Sequence, residues 1–221
     1  MTRSTTIDEK LYWKIMNDLF PKVPEARGHA KYTKAHWHRM RIGMEMMFKY
    51  IDVQPHFQVV ELGSKLPYFT ALFPEYFGIK VHLQSIETVP QEIGSFIFEK
   101  VNMCLDDFGE NKWDIVITTE IWEHLVCNLY DVRDRVLKSI KPGGYWLTSF
   151  PLGGKNAGNY EKILKNNLNQ LYHPHAREFT EKTAENFMNI PNIKILATEK
   201  RKIGGYGNFI RTFLAQIQPK I

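Results

Sequence analysis

Glu120, Glu123 and His124 fall within the short run Thr118-Thr119-Glu120-Ile121-Trp122-Glu123-His124, and side chains of these types at this spacing can do chemistry together. Where a strand gives way to a helix, positions 120, 123 and 124 share one face of a single turn, so two carboxylates and an imidazole converge. Mixed oxygen and nitrogen ligands of this kind suit Mg²⁺, Mn²⁺ or Zn²⁺. The same group works without metal if His124 is a general base while the carboxylates sit at the positive end of a helix. A purely structural role is the third reading, and the residues by themselves leave all three open.

The elements that must position this group read clearly. Asp114 to Ile117 form a β-branched apolar run of the kind buried in a parallel sheet, and Thr118, Thr119 and Glu120 put polar groups at its carboxyl end. Ligands of open α/β sheets bind at such ends. Val132, Val136, Leu137 and Ile140 recur at helical spacing, Lys141-Pro142-Gly143-Gly144 stops that helix, and Tyr145 to Phe150 make the next strand. Upstream, Gln58 to Leu62 is another buried strand, ending in Glu61-Leu62-Gly63-Ser64, where Gly63 can take the positive φ of a tight turn.

Further strands are expected at 80–86, 97–101, 193–199 and 209–217, and helices at 7–20, 33–51 and 180–189, the last with Thr180 as N-cap and Glu181 in its first turn. Pro74 is expected to end the helix after the first strand. Gly204-Gly205-Tyr206-Gly207 suits the connection of an antiparallel pair, and 155–177 reads as a polar, irregular insert.

The Glu-Leu-Gly turn, the strand from Trp113, Glu123-His124-Leu125 and the run Leu137 to Gly144, in this order, resemble class I S-adenosylmethionine-dependent methyltransferases from about Val59 to the C-terminus. The resemblance implies an α/β fold with a Rossmann-like seven-stranded sheet, mostly parallel with an antiparallel C-terminal hairpin, and helices on both faces. Residues 1–55 would form an N-terminal helical cap and 56–221 the methyltransferase-like domain, together one folding unit. The implied activity is methyl transfer from S-adenosylmethionine to a hydroxyl, or to an amine, of a small metabolite, sugar or RNA end.

The Glu-x-x-Glu-His element is in turn similar to one found in metal-dependent small-RNA 2′-O-methyltransferases and ubiquinone-pathway O-methyltransferases. That likeness implies a divalent ion on Glu120, Glu123, His124 and His175, with His173 the alternative in His-Pro-His. The ion would lower the pKa of an acceptor hydroxyl. The insert would return His175 by folding back over the site as a lid.

On the cofactor side the resemblance implies contacts from Glu61, Gly63 and Ser64 after the first strand, and from Ser85 with Glu87 after the second. Asn102 and Met103 would lie near the adenine, and Thr119 at the fourth strand end. Lys65 and Pro67 stand where the second and third glycines of the usual turn are expected. The cofactor is cationic and lacks a pyrophosphate, so the loop need not be an anion nest and the glycine demand is steric. Tyr32 and Trp37 read as packing residues. His36 and His38, two apart on a helix, face different ways and do not suggest one shared ion.

With 221 residues and 43% hydrophobic content, one α/β domain can bury a real core. The net charge of +5 is spread along the chain, which reads as solubilising charge rather than a nucleic-acid footprint. Cys104 and Cys127 have no paired-ligand spacing, and no leader or membrane-spanning run is seen, so a reducing, cytoplasmic setting and no membrane partner are expected. The methyl acceptor and the oligomeric state stay open. A catalytically degenerate methyltransferase-like binding or scaffolding domain is the alternative function. A nicotinamide-dependent oxidoreductase ranks last, because the glycine fingerprint that seats a pyrophosphate is absent.

Overall fold

A computed structural model describes residues 7–26, 28–153, 178–202 and 209–219. The apolar runs become β1 (Val59–Leu62), β2 (Val81–Ser85), β3 (Gln91–Ile93), β4 (Phe96–Lys100), β5 (Trp113–Thr119), β6 (Ile140–Leu152), β7 (Ile193–Lys202) and β8 (Phe209–Ile217). They form one sheet in the order β3-β4-β2-β1-β5-β6-β8-β7. β4, β2, β1, β5 and β6 are mutually parallel, while β8 runs antiparallel to β6 and β7 antiparallel to β8. The mostly parallel sheet with an antiparallel C-terminal hairpin is therefore present.

The sheet has one strand more than the seven expected. β3 is an antiparallel edge strand on β4, with Ile93 opposite Phe96 across Gly94-Ser95, and Gly94 has φ +61. A two-residue Gly-Ser connection is a hairpin signal in the sequence itself.

Alternation along the central strands splits the core between two faces. Val59, Ile115, Ile117, Leu147 and Leu214 join one hydrophobic cluster, while Val60, Leu62, Val116, Trp146 and Phe213 join the other. Burial on both faces is what makes these strands read as continuous apolar runs. The first cluster includes α1 (Glu9–Leu19), α2 (His29–Tyr50) and α3 (Phe73–Phe77); the second includes α4 (Leu129–Ser139) and α5 (Glu181–Met188). Side-chain caps start several of these helices: Asp8 accepts from the Leu11 amide at 3.0 Å, Asn128 from Tyr130 at 3.1 Å, and Thr180 forms a reciprocal capping box with Thr183. Pro74 lies in the first turn of α3 and so begins that helix rather than ending it, because a first-turn N–H needs no intrahelical partner.

α2 begins at His29, ahead of the expected 33, after Gly28 at φ +86. Its approach to the sheet depends on Gly43, where a Cβ would lie 2.6 Å from Phe69 Cδ1 and 3.3 Å from Leu147 Cδ2. This close seat sets the depth at which α2 presents Arg39, one turn earlier.

Cys104 and Cys127 form a disulfide with a Cα–Cα distance of 5.8 Å, joining the loop after β4 to the loop after β5. The sequence, with no paired-ligand spacing at these two cysteines, gave no sign of this bond. A separation of 23 residues conceals the pairing, because Arg135 on α4 binds the Met103 and Cys104 carbonyls and draws the first loop alongside the second. Among the described residues, no helix is long and apolar enough to cross a membrane.

Candidate functional site

β5 ends at Thr119, and Glu120 turns the chain in a left-handed conformation with φ +52. That conformation is uncommon for a side-chain-bearing residue and is held here by interactions at both carboxylate oxygens. Thr119 lies beside Ser149 in the parallel pairing of β5 and β6, and the Ser149 hydroxyl donates to Glu120 Oε1 at 2.7 Å. From α2, Arg39 Nη1 donates to Glu120 Oε2 at 3.0 Å, and the Arg39 Nη2 is bonded to the Tyr32 hydroxyl. Burial opposes the charge of Arg39, but Glu120, Tyr32 and Glu123 outweigh it and hold the guanidinium pKa above its ordinary value.

The segment after Glu120 is a 3₁₀ turn, Trp122–His124, and the α-helix starts only at Leu129. This corrects the expected helical turn carrying positions 120, 123 and 124. Trp122 is fully buried and donates its indole N–H to Thr148 at 2.8 Å, while Trp146 donates to Thr118 at 2.7 Å. Burying the large Trp122 ring with its polar edge satisfied fixes the tight turn beneath the strand ends.

Glu123 is 2% exposed, and its pKa is raised well above the ordinary carboxyl range, first by burial and then by the charge of Glu120. Its Oε2 has no hydrogen-bond partner. Its Oε1 lies 3.7 Å from His124 Nε2, and the His124 side chain is 29% exposed.

Among the described residues no three His, Cys, Asp or Glu side chains gather to hold an ion. Glu120 is spent on Arg39 and Ser149, and a guanidinium beside it repels a second cation. His175 and His173 lie outside the described residues.

The expected cofactor residues all lie at or beside the carboxyl ends of β1, β2, β4 and β5, but they are engaged differently. Glu61 is 1% exposed and accepts from Thr70 Oγ1 at 2.8 Å, Ser64 Oγ at 3.0 Å and the Phe69 amide. Burial raises its pKa to about 7 against the lowering effect of those hydrogen bonds. Gly63, at φ +75, could not carry a Cβ, which would lie 2.5 Å from Ile121 Cγ1. Ser64 is buried and also bonds the Leu66 carbonyl. Ser85 is buried and accepts from the Glu87 amide at 3.3 Å, while Met103 is buried in the second cluster. Asn102 uses its side-chain oxygen on the Cys104 amide at 2.9 Å, and Thr119 is half-buried. Lys65 forms an ion pair with Glu87.

The donor set fits an adenosyl-methionine cofactor in kind. Glu87 offers a carboxylate for a vicinal diol, Asn102 an amide for a heteroaromatic amine, and Glu61 a carboxyl whose ionised form would be favoured by a nearby ammonium. The Lys65 ammonium is the one group out of character, and Glu87 neutralises it.

Arg39, Tyr32 and Ser149 were missed as site residues. Their signals exist in the sequence: Tyr32 and Arg39 are seven apart, on one face of a helix otherwise rich in methionine, and Ser149 is a polar residue near the end of an apolar strand. Only the crossing of α2 over β5 and β6 shows that they meet.

No protein-family profile matches the chain, and no curated protein sequence matches it. Solved structures do. The 1,6-didemethyltoxoflavin-N1-methyltransferase of Burkholderia thailandensis, with bound 1,6-didemethyltoxoflavin and S-adenosylhomocysteine, superposes with a TM-score of 0.64 at 16% identity, covering 97% of this chain and 92% of that one. A putative methyltransferase in complex with the Trm112 activator of Haloferax volcanii gives 0.62 at 14% identity, covering 89% and 96%. The [4+2]-cyclase SpnF gives 0.61 at 9% identity, covering 82% and 81%. At these identities the likeness establishes the fold, and the cyclase shows that the fold alone does not fix the reaction.

Proposed function

We propose that this chain, built on the fold of S-adenosylmethionine-dependent methyltransferases, transfers a methyl group from S-adenosylmethionine to a hydroxyl or amine of a small acceptor, with His124 as general base. When bound, the cofactor supplies an electrophilic methyl on a sulfonium; Glu87, Asn102, Gly63 and Thr119 are the residues to hold it. The acceptor oxygen or nitrogen forms the new bond to carbon, the sulfur–carbon bond breaks to leave S-adenosylhomocysteine, and the acceptor proton passes to His124 Nε2.

The observation that carries this reading is the division of labour among the three side chains after β5. Glu120 is held by Arg39 and Ser149 and orients the strand end. Glu123 is buried with its pKa raised, leaving His124 as the partly exposed base beside it. The acceptor class remains that of the sequence reading, a small metabolite, a sugar or an RNA end, and nothing in the reaction requires a metal.

Isothermal titration with S-adenosylhomocysteine comes first, followed by transfer of labelled methyl to a panel of hydroxyl and amine acceptors. Turnover should survive chelation and disappear in His124→Ala. Absence of binding below millimolar cofactor would reject the proposal. A second reading, a degenerate binding domain, is favoured by the Lys65–Glu87 ion pair, which engages the carboxylate that a ribose would need.

A further inference from the structure

An open cleft of about 110 Å³ lies between α2 and the β7–β8 hairpin, and its wall includes His36, His38, Arg39, Arg201, Lys202 and Thr212. No carboxylate lines it. Burial and the charge of Arg39 push the His36 pKa down to about 4, so that imidazole is neutral and the permanent charge comes from Arg39 and Arg201. Lys202 borders the cleft, but it lies opposite Phe209, one residue on from Arg201, and so belongs to the other face of the sheet. Glu120 pairs with Arg39 at 3.0 Å, and Glu199 with Arg201 at 3.5 Å across an exposed edge, where such a pair holds weakly. Arg39 Nε is buried without a hydrogen-bond partner, although both other guanidinium nitrogens are engaged. The cleft is thus a cationic recess with an unsatisfied donor.

Its place in the sheet ties it to the reaction site. Thr212 lies directly opposite Ser149 in the β6–β8 pairing and opposite Glu199 in the β7–β8 pairing, and two residues further along Ile210 lies opposite Arg201. Directly opposed residues point to one face, so Ser149, Thr212 and Arg201 belong to one side of the sheet, the side that α2 covers. Ser149 bonds Glu120, and so does Arg39, which also lines the cleft. One guanidinium therefore connects the strand end carrying the proposed chemistry to the cationic recess.

We propose that this cleft receives the anionic group, a phosphate or a carboxylate, of the methyl acceptor. The assignment rests on the methyl-transfer reading for the word acceptor, and on the cleft itself for the anion. An oxyanion there satisfies the orphaned Arg39 donor and bridges the Arg39 and Arg201 guanidinium groups, and charge-assisted hydrogen bonds to such groups are the strong ones. It also fixes the acceptor by its charged end, leaving its hydroxyl or amine directed along the Arg39–Glu120 line.

The test is titration calorimetry of the full chain with inorganic phosphate and, separately, with acetate, against chloride at matched ionic strength, alongside S-adenosylhomocysteine as an independent arm. Saturable binding of phosphate or of acetate is expected, and the preferred anion identifies the acceptor's charged group. Arg201→Ala should weaken that binding about tenfold or more. Lys194→Ala, on the same hairpin outside the cleft, should leave it unchanged, and cofactor affinity should not move in either variant. Failure of both anions to bind beyond chloride, or equal binding in Arg201→Ala, overturns the proposal. If an anion binds while S-adenosylhomocysteine does not, the anion site stands and the methyl-transfer reading falls; the reverse result removes the anion site alone.

Discussion

Glu61 places a titrating carboxyl in the core, and Glu61→Gln exposes its cost. The carboxyl is 1% exposed, and burial raises its pKa from 4.5 to about 7. Below pH 4.5 the group is protonated in both folded and unfolded chains and contributes nothing to pH dependence. Between these values only the folded chain keeps the proton, so stability falls as pH rises. Above pH 7 the full penalty remains. The shift of about 2.5 units at ~1.36 kcal/mol each corresponds to about 3 kcal/mol, with no allowance for solvent screening because the group is buried. Glutamine keeps the shape and hydrogen-bonding reach toward Ser64, Thr70 and the Phe69 amide, but it does not titrate. Urea unfolding of both proteins at pH 5 and pH 8 isolates the effect, since Glu123 and every other carboxyl cancel in the difference. Part of the penalty is already present at pH 5, so the variant should gain about 2.5 kcal/mol relative to the wild type across that interval. A difference constant within about 0.5 kcal/mol would show that Glu61 is ionised in the fold and that the burial argument is wrong.

Gly43→Ala should destabilise the protein by about 1–3 kcal/mol, because its Cβ would press on the Phe69 ring and lift α2 from the sheet; an unchanged melting curve would contradict that contact. Reducing the Cys104–Cys127 disulfide, or replacing both residues by serine, should cost about 3 kcal/mol for a loop of 23 residues, read by urea unfolding with and without reductant. Equal stability in both conditions would mean that the bond does not form in solution. Lys65→Gly removes the ammonium that engages Glu87 and should tighten S-adenosylhomocysteine binding about fivefold by calorimetry. Weaker binding would instead make Lys65 a cofactor contact.

Much of this architecture is legible without coordinates, and the reason is local. Val59 to Leu62 and Asp114 to Ile117 are apolar on both sides, which only a sheet covered on two faces rewards, and the polar residues that follow mark the carboxyl ends. Thr180 caps α5 because its hydroxyl reaches an amide three residues away, an interaction that the sequence alone can specify. Gly94-Ser95 carries a local signal of the same kind, a two-residue hairpin connection, although the expected seven-stranded sheet left its strand out. What only the tertiary structure decided are the partners brought together across long separations. Arg39 meets Glu120 across 81 residues, Ser149 meets Glu120 across 29, and Cys104 meets Cys127 across 23. The same Glu120-to-His124 spacing serves a helical turn or the observed left-handed residue and 3₁₀ turn. Burial of Trp122 selects the second, and with it buried Glu123 and the exposed edge of His124. Residue types and local periodicity set where the strands end, whereas the crossing of α2 over β5 and β6 set which charges meet there, because pairing of buried groups depends on packing distance rather than on position in the chain.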